Sequence, residues 1–419
     1  MTDLSGAAWF SEAGLTRVLD LLNADGGEGR VVGGAVRNSL MDMPVGDIDL
    51  ATTLKPQEVM DRAKAAGIKA VPTGIDHGTV TLVVEGKAYE VTTLRRDVET
   101  DGRHAQVAFG TDWQEDAERR DLTINALYVD RDGQVIDLVG GLADIEARRV
   151  RFIGEAERRI AEDYLRVLRF FRFFAWYGEG RPDAEGLRAS ARARTRLGQL
   201  SAERVWAELK KLLAAPDPGR ALLWMRQSGI LGEILPETEK WGIDAIPGLV
   251  ATERALGWDP DPMLRLASIV PRDADRLAAL SSRLRLSNAE AGFLERFAMS
   301  PDVSPEIKDA AFDRLLYEVD RAGIVARLKL ALASARVPAE GGGAEPMAKA
   351  ARLSALLKRA EGFEKPVFPL SGSDVIATGI APGPKVGELL KVLEREWVER
   401  NFTLDRAKLL ARLQTLTSS

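Results

Sequence analysis

Strand signals in this chain stop near residue 151, and that discontinuity restricts the fold more than any other feature of the sequence. Upstream, strand-like and helix-like runs alternate: strands over 30–33, 45–51 and 135–139, helices over 35–41, 56–66 and 116–127. Two β-rich runs, 79–84 and 87–94, are separated by Glu85-Gly86, which predicts a hairpin. Downstream the pattern is helical throughout, with helices expected over 156–176, 184–196, 202–214 and 219–228 and further ones to the end. The Gly/Pro-rich stretch 339–346 reads as a loop inside that helical part. The fold class is therefore α+β, a mixed-sheet head followed by an all-helical neck, body and tail. The expected divisions are 1–150, 151–240 and 241–419.

Within the head, Asp47 and Asp49 flank Ile48 on an expected strand. Alternation puts both carboxylates on one face and turns Ile48 and Leu50 toward a core. Two carboxylates so close repel unless a cation lies between them. An all-oxygen donor set suits Mg²⁺, with Mn²⁺ as the second choice. A lone Asp-x-Asp is more often a surface feature, so its neighbours matter. Gly33-Gly34 closes the preceding strand, and Arg37 follows on the next helix. Missing side chains let the backbone approach a phosphate, and Arg37 can add a bidentate contact. A plain tight turn is the competing reading of the two glycines. Glu90, in the run Ala88-Tyr89-Glu90-Val91, is a third acid on a half-buried strand. It could ligate a metal or accept a proton from an attacking hydroxyl; an ordinary exposed strand residue is the alternative.

Gly33–Asn38 followed by Gly46–Thr52 closely resembles the signature of class II CCA-adding enzymes and bacterial poly(A) polymerases, in the polymerase-β nucleotidyltransferase superfamily. RRDLTINAL at 119–127, DLVGGLAD at 137–144, EDYLRVLRFFR at 162–172 and SAERVWAEL at 201–209 are similar to the later segments of that family, in the same order. The late stretch GSDVIATGIAPGPKVGELL resembles tails in the family. The resemblance implies a polymerase-β-like head in which Asp47 and Asp49 hold the metals, with Glu90 as third carboxylate. It also implies that Gly33, Gly34, Arg37 and Arg120 contact the nucleotide. The chain departs from the pattern at Asn38, where the family often has Asp, so Asn38 is given no metal role.

The segment 162–172 resembles the family's nucleotide-selecting motif. In it Asp163, Arg166, Arg169 and Arg172 recur every three residues on an expected helix. An intrahelical ion pair beside a solvated basic stripe is the plain alternative. Chemically, ionised Asp only accepts and Arg only donates. Cytosine and adenine both present an amino donor beside a ring-nitrogen acceptor, which Asp163 and Arg166 would match. Guanine and uracil reverse the order and would leave mispaired buried groups at roughly 1–3 kcal/mol each. Arg169 and Arg172 are expected to steer the nucleotide or the RNA backbone.

Partners follow from charge and from the resemblance together. The net charge is −5, yet residues 188–211 contain seven basic residues against Glu203 and Glu208, a local charge of +5. Arg188, Arg192, Arg194, Arg196, Lys210 and Lys211 are the expected RNA contacts, a solvated helix face being the alternative. The implied substrates are CTP, ATP and the 3′ end of tRNA. The stretches 73–81 and 95–112, the latter similar to a loop that helps CCA-adding relatives switch from CTP to ATP, favour CCA addition. Lys87 alone in the 79–92 strand pair argues against poly(A) synthesis, where relatives carry a strongly basic pair. Partial A- or CC-addition, a non-catalytic RNA binder and a small-molecule nucleotidyltransferase compete with that reading. There is no cysteine, which excludes thiolate chemistry, and no apolar run long enough for a membrane helix. With only His77 and His104, no His/Asp phosphohydrolase site is expected. The acidic N-terminus lacks a signal peptide's pattern, so a cytoplasmic address is expected. Nothing in the sequence specifies a protein partner.

Overall fold

The computed structural model describes residues 2–101, 104–238 and 242–418. It divides into two compact units, Met1–Pro236 and Glu237–Ser419. Among the described residues no helix is long and apolar enough to cross a membrane.

The first unit begins with a seven-stranded mixed sheet of order β3-β4-β5-β2-β1-β8-β9. Its strands are β1 (Gly29–Val32), β2 (Asp49–Thr52), β3 (Lys69–Gly74), β4 (Thr79–Val84), β5 (Lys87–Thr93), β8 (Leu127–Val129) and β9 (Val135–Asp137). A separate pair, β6 (Arg95–Asp101) and β7 (His104–Phe109), covers the segment expected to help switch nucleotides, and its tip at 102–103 lies outside the described residues. The expected β4–β5 hairpin is present, and Glu85 and Gly86 both take the positive φ that its two-residue turn requires. β2 is antiparallel to β1 and parallel to β5, so a long connection separates the two strands that matter most.

Helices α1 (Ala13–Asn23), α2 (Gly34–Leu40), α3 (Pro56–Ala65), α4 (Trp113–Glu118) and α5 (Gly141–Glu146) complete the head. α1 buries Leu15, Val18, Leu19 and Leu22, and it lies over Tyr89 of β5, whose ring leaves no room for a side chain at Gly14. Further along the opposite face, Ala51, Leu94, Ala117, Ala126 and Tyr128 form an apolar cluster. That cluster stops short of Asp49, which faces solvent.

The helix expected over 116–127 is not continuous. α4 ends at Glu118, a short turn covers Thr123–Asn125, and β8 begins at Leu127. Asp121 explains the interruption: its carboxylate accepts the Leu122 N–H, a local bond that competes with helix. The neck contains α6 (Ala156–Glu162), α7 (Leu165–Tyr177), α8 (Ala184–Ala193), α9 (Ala202–Leu213), α10 (Gly219–Gln227) and α11 (Ile230–Ile234). Here too a single expected helix, 156–176, is broken. Asp163 is extended (φ −155°, ψ 110°), and its Oδ1 accepts the Leu165 N–H at 3.0 Å, which starts α7. Likewise the helix expected over 184–196 ends at Ala193 and continues as a tighter turn, Arg194–Gln199. α7 buries Phe170, Phe171, Phe173 and Phe174 and packs along α9.

The second unit is helical: α12 (Ile246–Leu256), α13 (Pro262–Ile269), α14 (Ala274–Arg283), α15 (Asn288–Met299), α16 (Asp309–Glu318), α17 (Arg321–Glu340), α18 (Ala344–Glu361), α19 (Gly372–Ile376), α20 (Pro384–Glu399) and α21 (Arg406–Ser418). The loop expected over 339–346 is shorter, because α17 runs through Pro338 to Glu340. One core joins α16, α17 and α18 around Phe312, Leu328 and Leu356; another gathers Val375, Leu393, Trp397 and Leu409. Arg265 and Glu253, both nearly inaccessible, pair at 2.6 Å between α13 and α12.

Candidate active site

β2 begins at Asp49, four residues later than the alternation predicts, so Asp47 precedes the ladder rather than lying in it. The alternation of exposure nevertheless reaches back through the irregular segment. Asp47 and Asp49 are exposed, while Ile48 and Leu50 are each 1% exposed. Ile48 anchors the approach, and the two acids share the open side. Asp49 is directly opposite Glu90 in the parallel β2–β5 register. Tyr89 and Val91 point into the core, so Glu90 faces outward with Asp49. The Asp49 carboxyl is pushed above its ordinary range, first by desolvation in the cleft, then by Glu90 and Asp47, with Arg120 opposing. Among the described residues none of the three acids makes a side-chain hydrogen bond or ion pair. No described set of three His, Cys, Asp or Glu residues is already converged as a metal site. The donor chemistry still fits a hard divalent cation: three oxygen ligands whose mutual repulsion a cation would remove.

Gly33, between β1 and α2, has φ 78° and ψ −120°, a conformation that requires glycine. It lines a cleft of about 460 Å³ together with Gly34, Arg37, Arg120, Asp163, Arg166 and Arg169. Seven of the residues singled out from the sequence thus meet in one place. A smaller cleft of about 250 Å³, lined by Asp49 and Glu90, shares Gly33, Arg119 and Arg120 with the first. The acids and the basic cleft therefore adjoin.

Each arginine is held in its own way. Arg119 and Arg120 both grip buried Asp116, which also accepts the Tyr128 hydroxyl at 2.8 Å. Burial pushes the Asp116 carboxyl up, but Arg120 and Arg119 outweigh it and hold it below its usual range. Two guanidiniums share one carboxylate, which leaves one positive charge facing the cleft. Arg37 is 7% exposed, and its contacts are the Asn38 and Asn125 side-chain oxygens and the Tyr177 hydroxyl. Asn38 also donates to the Pro44 carbonyl at 2.8 Å, tying α2 to the segment that leads to Asp47. An Asp at that position could not donate this bond.

The expected period-three stripe is more heavily paired than a free basic ridge. Arg166 binds Glu162, Arg169 binds Asp121 at 2.6 Å, and Arg172 binds Glu208 at 2.5 Å. Arg172 is absent from the residues lining the cleft, lying instead over the Phe173 ring at 4.1 Å. Asp163 is held by Arg204 at 2.6 Å. Sequence reasoning missed Asn125, Asp121 and Tyr177 as site residues, and it counted Arg204 only as one of the seven basic residues of 188–211. The expected RNA contacts Arg188, Arg192, Arg194, Arg196, Lys210 and Lys211 are divided among α8, the following turn and α9, on the solvent side of these elements. Arg192 pairs with Glu157. His77 closes a short turn, and its carbonyl accepts from Arg95 at 2.9 Å. The His104 side chain lies outside the described residues.

Comparison with known proteins gives a consistent result. Residues 29–151 match a family model described as the poly A polymerase head domain. Residues 183–241 match one described as a probable RNA and SrmB-binding site of polymerase A. The chain is 34% identical over 409 residues to the mitochondrial CCA tRNA nucleotidyltransferase 1 of Mus musculus, covering 96% of this chain and 90% of that protein. It is 30% identical to a CCA-adding enzyme of Lactobacillus delbrueckii subsp. bulgaricus, over 93% of this chain and 94% of that protein. Among solved structures, the Bacillus stearothermophilus CCA-adding enzyme in complex with CTP superposes with a TM-score of 0.64 at 28% identity, over 97% of each chain.

Proposed function

Because this chain belongs to the CCA-adding tRNA nucleotidyltransferase family, we propose that it adds C, C and A to the 3′ end of tRNA from CTP and ATP without a nucleic-acid template. Transfer in this family is metal-dependent. The observation that carries the reading is the adjoining of two clefts, one lined by Asp49 and Glu90 and the other by Arg37, Arg120, Asp163 and Arg166.

In this reading the triphosphate lies against Gly33, Gly34, Arg37 and Arg120. Mg²⁺, or Mn²⁺ in its place, held by Asp47 and Asp49 with Glu90 beside them, would activate the RNA 3′-hydroxyl and offset charge on the phosphates. The hydroxyl oxygen bonds to the α-phosphorus, the bond from that phosphorus to the bridging oxygen breaks, and pyrophosphate leaves. Glu90 would accept the hydroxyl proton. At the far side of the cleft Asp163 takes the amino group of C or A and Arg166 the ring nitrogen. Arg169, fixed by Asp121, and Arg172, fixed by Glu208, keep α7 in place beside the nucleotide. Residues 1–150 act as the catalytic head, 151–240 as the selecting neck, and 241–419 as the body that holds tRNA. A cytoplasmic address belongs to the same reading. The animal relatives are named as mitochondrial, so finding a tagged chain in an organelle would change the address and leave the chemistry as it stands.

The test is extension of tRNAs ending before CCA, after C, and after CC, with Mg²⁺ and with CTP and ATP separately and together. Three additions and no more, with A joined only after CC, are expected. Long A tails on any RNA would move the chain to poly(A) synthesis. A-only or CC-only addition would make it a partial enzyme, and no extension would leave an RNA binder.

A further inference from the structure

α7 presents a second ridge beside the period-three stripe. Arg169, Phe173 and Tyr177 are spaced by four and share one face of the helix. That face meets three side chains of the head in a closed circuit. Arg169 binds Asp121; Asn125 Nδ2 donates to Asp121 at 3.3 Å; Arg37 Nη1 donates to Asn125 Oδ1 at 2.5 Å; Arg37 Nη2 donates to the Tyr177 hydroxyl at 2.7 Å. The Tyr177 ring lies 4.1 Å from the Arg37 guanidinium carbon, and Phe173 lies 5.2 Å from it. The circuit leaves α7 at Arg169 and returns to it at Tyr177, two turns later.

Charge distinguishes Arg37 from its neighbours. Arg166, Arg169 and Arg172 each face a carboxylate, whereas the hydrogen-bond partners of Arg37 are an asparagine pair and a phenol. A buried guanidinium with neutral partners keeps its full charge and has given up its water. An anion in the cleft supplies the missing countercharge, and the bonds to Asn38, Asn125 and Tyr177 leave one Nη1–H to meet it from the guanidinium. Its orientation depends on Tyr177, which supplies both an acceptor and a ring to rest on.

We propose that Tyr177 is a positioning residue for the nucleotide's phosphates, acting through Arg37. This rests on the reading that the cleft takes a nucleoside triphosphate. Tyr177 is eleven residues from Arg166, roughly 16 Å along the helix. Its effect must therefore be blind to the base: CTP and ATP lose affinity equally, and discrimination against UTP and GTP is unchanged.

The experiment uses the full chain as wild type, Tyr177→Phe and Tyr177→Leu. Binding of inorganic tripolyphosphate, a probe with no base, is measured by calorimetry alongside KM and kcat for CTP and ATP on tRNA. Tyr177→Phe should raise the tripolyphosphate Kd and both KM values by a common factor of about five to ten, with a much smaller change in kcat. Tyr177→Leu, which also removes the ring, should raise them further. Unchanged tripolyphosphate affinity, with only the melting temperature and kcat reduced, would show a purely structural tyrosine and overturn the proposal. A shift in the CTP to ATP preference would also overturn it. If the wild type binds tripolyphosphate and Tyr177→Phe weakens it while tRNA is not extended, the positioning role stands and the CCA reading fails.

Discussion

Asp49 shares its side of the sheet with Glu90 and Asp47, and desolvation together with those two charges raises its pKa. Its ionised form is then less favourable in the folded chain than in the unfolded one. The sign follows from linkage: the cost to stability is present at neutral pH and disappears as pH falls through the raised pKa toward the ordinary value, where both states hold the proton. Asp49→Asn should therefore stabilise the metal-free protein at pH 7, by about 1 kcal/mol or less because the carboxyl is partly screened by water. The gain should shrink as pH is lowered into the carboxylate range. Added Mg²⁺ should reverse the order, since a cation bound to the native state stabilises wild type and not the variant. Thermal melts with chelator and with Mg²⁺, at pH 7 and at about pH 4.5, measure both arms. A variant no more stable than wild type in chelator would remove the repulsion argument. A variant as strongly stabilised by Mg²⁺ as wild type would remove Asp49 from the metal site. Nucleotide transfer by the variant should be lost.

The interruption between α6 and α7 places Asp163 at a helix start, where one oxygen caps Leu165 and the other is held by Arg204 of α9. On the role proposed for Asp163, Arg204 braces that acid rather than contacting the RNA backbone. Arg204→Ala should lower kcat/KM for CTP and ATP by about ten-fold, the cost of freeing one charge-assisted bond, and should admit more UTP and GTP. Weaker tRNA binding with discrimination intact would place Arg204 among the RNA contacts. This element also shows what sequence periodicity misses. The period of three linking Asp163, Arg166 and Arg169 is visible in the chain, but the cap that breaks the helix is a local competition that periodicity does not register. The hairpin of β4 and β5 was legible because alternation and a two-residue turn agree. β3 was not, since Pro72 and Gly74 spoil its alternation and its register shifts between Val71 and Gly74. β8 was not, because three residues buried on both faces carry no period at all. The acids Asp47, Asp49 and Glu90 could be named from sequence, whereas the cage around Arg37 could not. Tyr177 stands 140 residues away from Arg37, and its ridge with Arg169 and Phe173 has meaning only once the head is folded against it.

At the scale of the whole molecule, a chain of net charge −5 must bind a polyanion through a local surface, and its distribution of exposed charge says where. Of the basic residues between 188 and 211, Arg204 is engaged with Asp163 and Arg192 with Glu157, which discounts both as phosphate contacts. Arg188, Arg194 and Arg196 lie on α8 and the turn after it, within the segment that matches an RNA-binding family model. Neutralising phosphates releases counterions, so each contact adds roughly 0.7 to 0.9 to the slope of log affinity against log salt. Changing Arg188, Arg194 and Arg196 together to Gln should reduce that slope for tRNA by about two to three. KM for CTP at saturating tRNA should stay within about two-fold, because none of the three lines the clefts around Arg37 or Asp49. Changing Arg192 alone should do less than changing Arg196 alone, since Glu157 already occupies it. A salt titration of tRNA binding by wild type and these three variants separates the possibilities. An unchanged slope in the triple variant would make this face a solvated helix surface and put the grip on tRNA in the helices beyond residue 241. A slope that falls while the affinity for tripolyphosphate is retained would place RNA and nucleotide on separate surfaces of the first unit, as the division between the basic turn and the cleft requires.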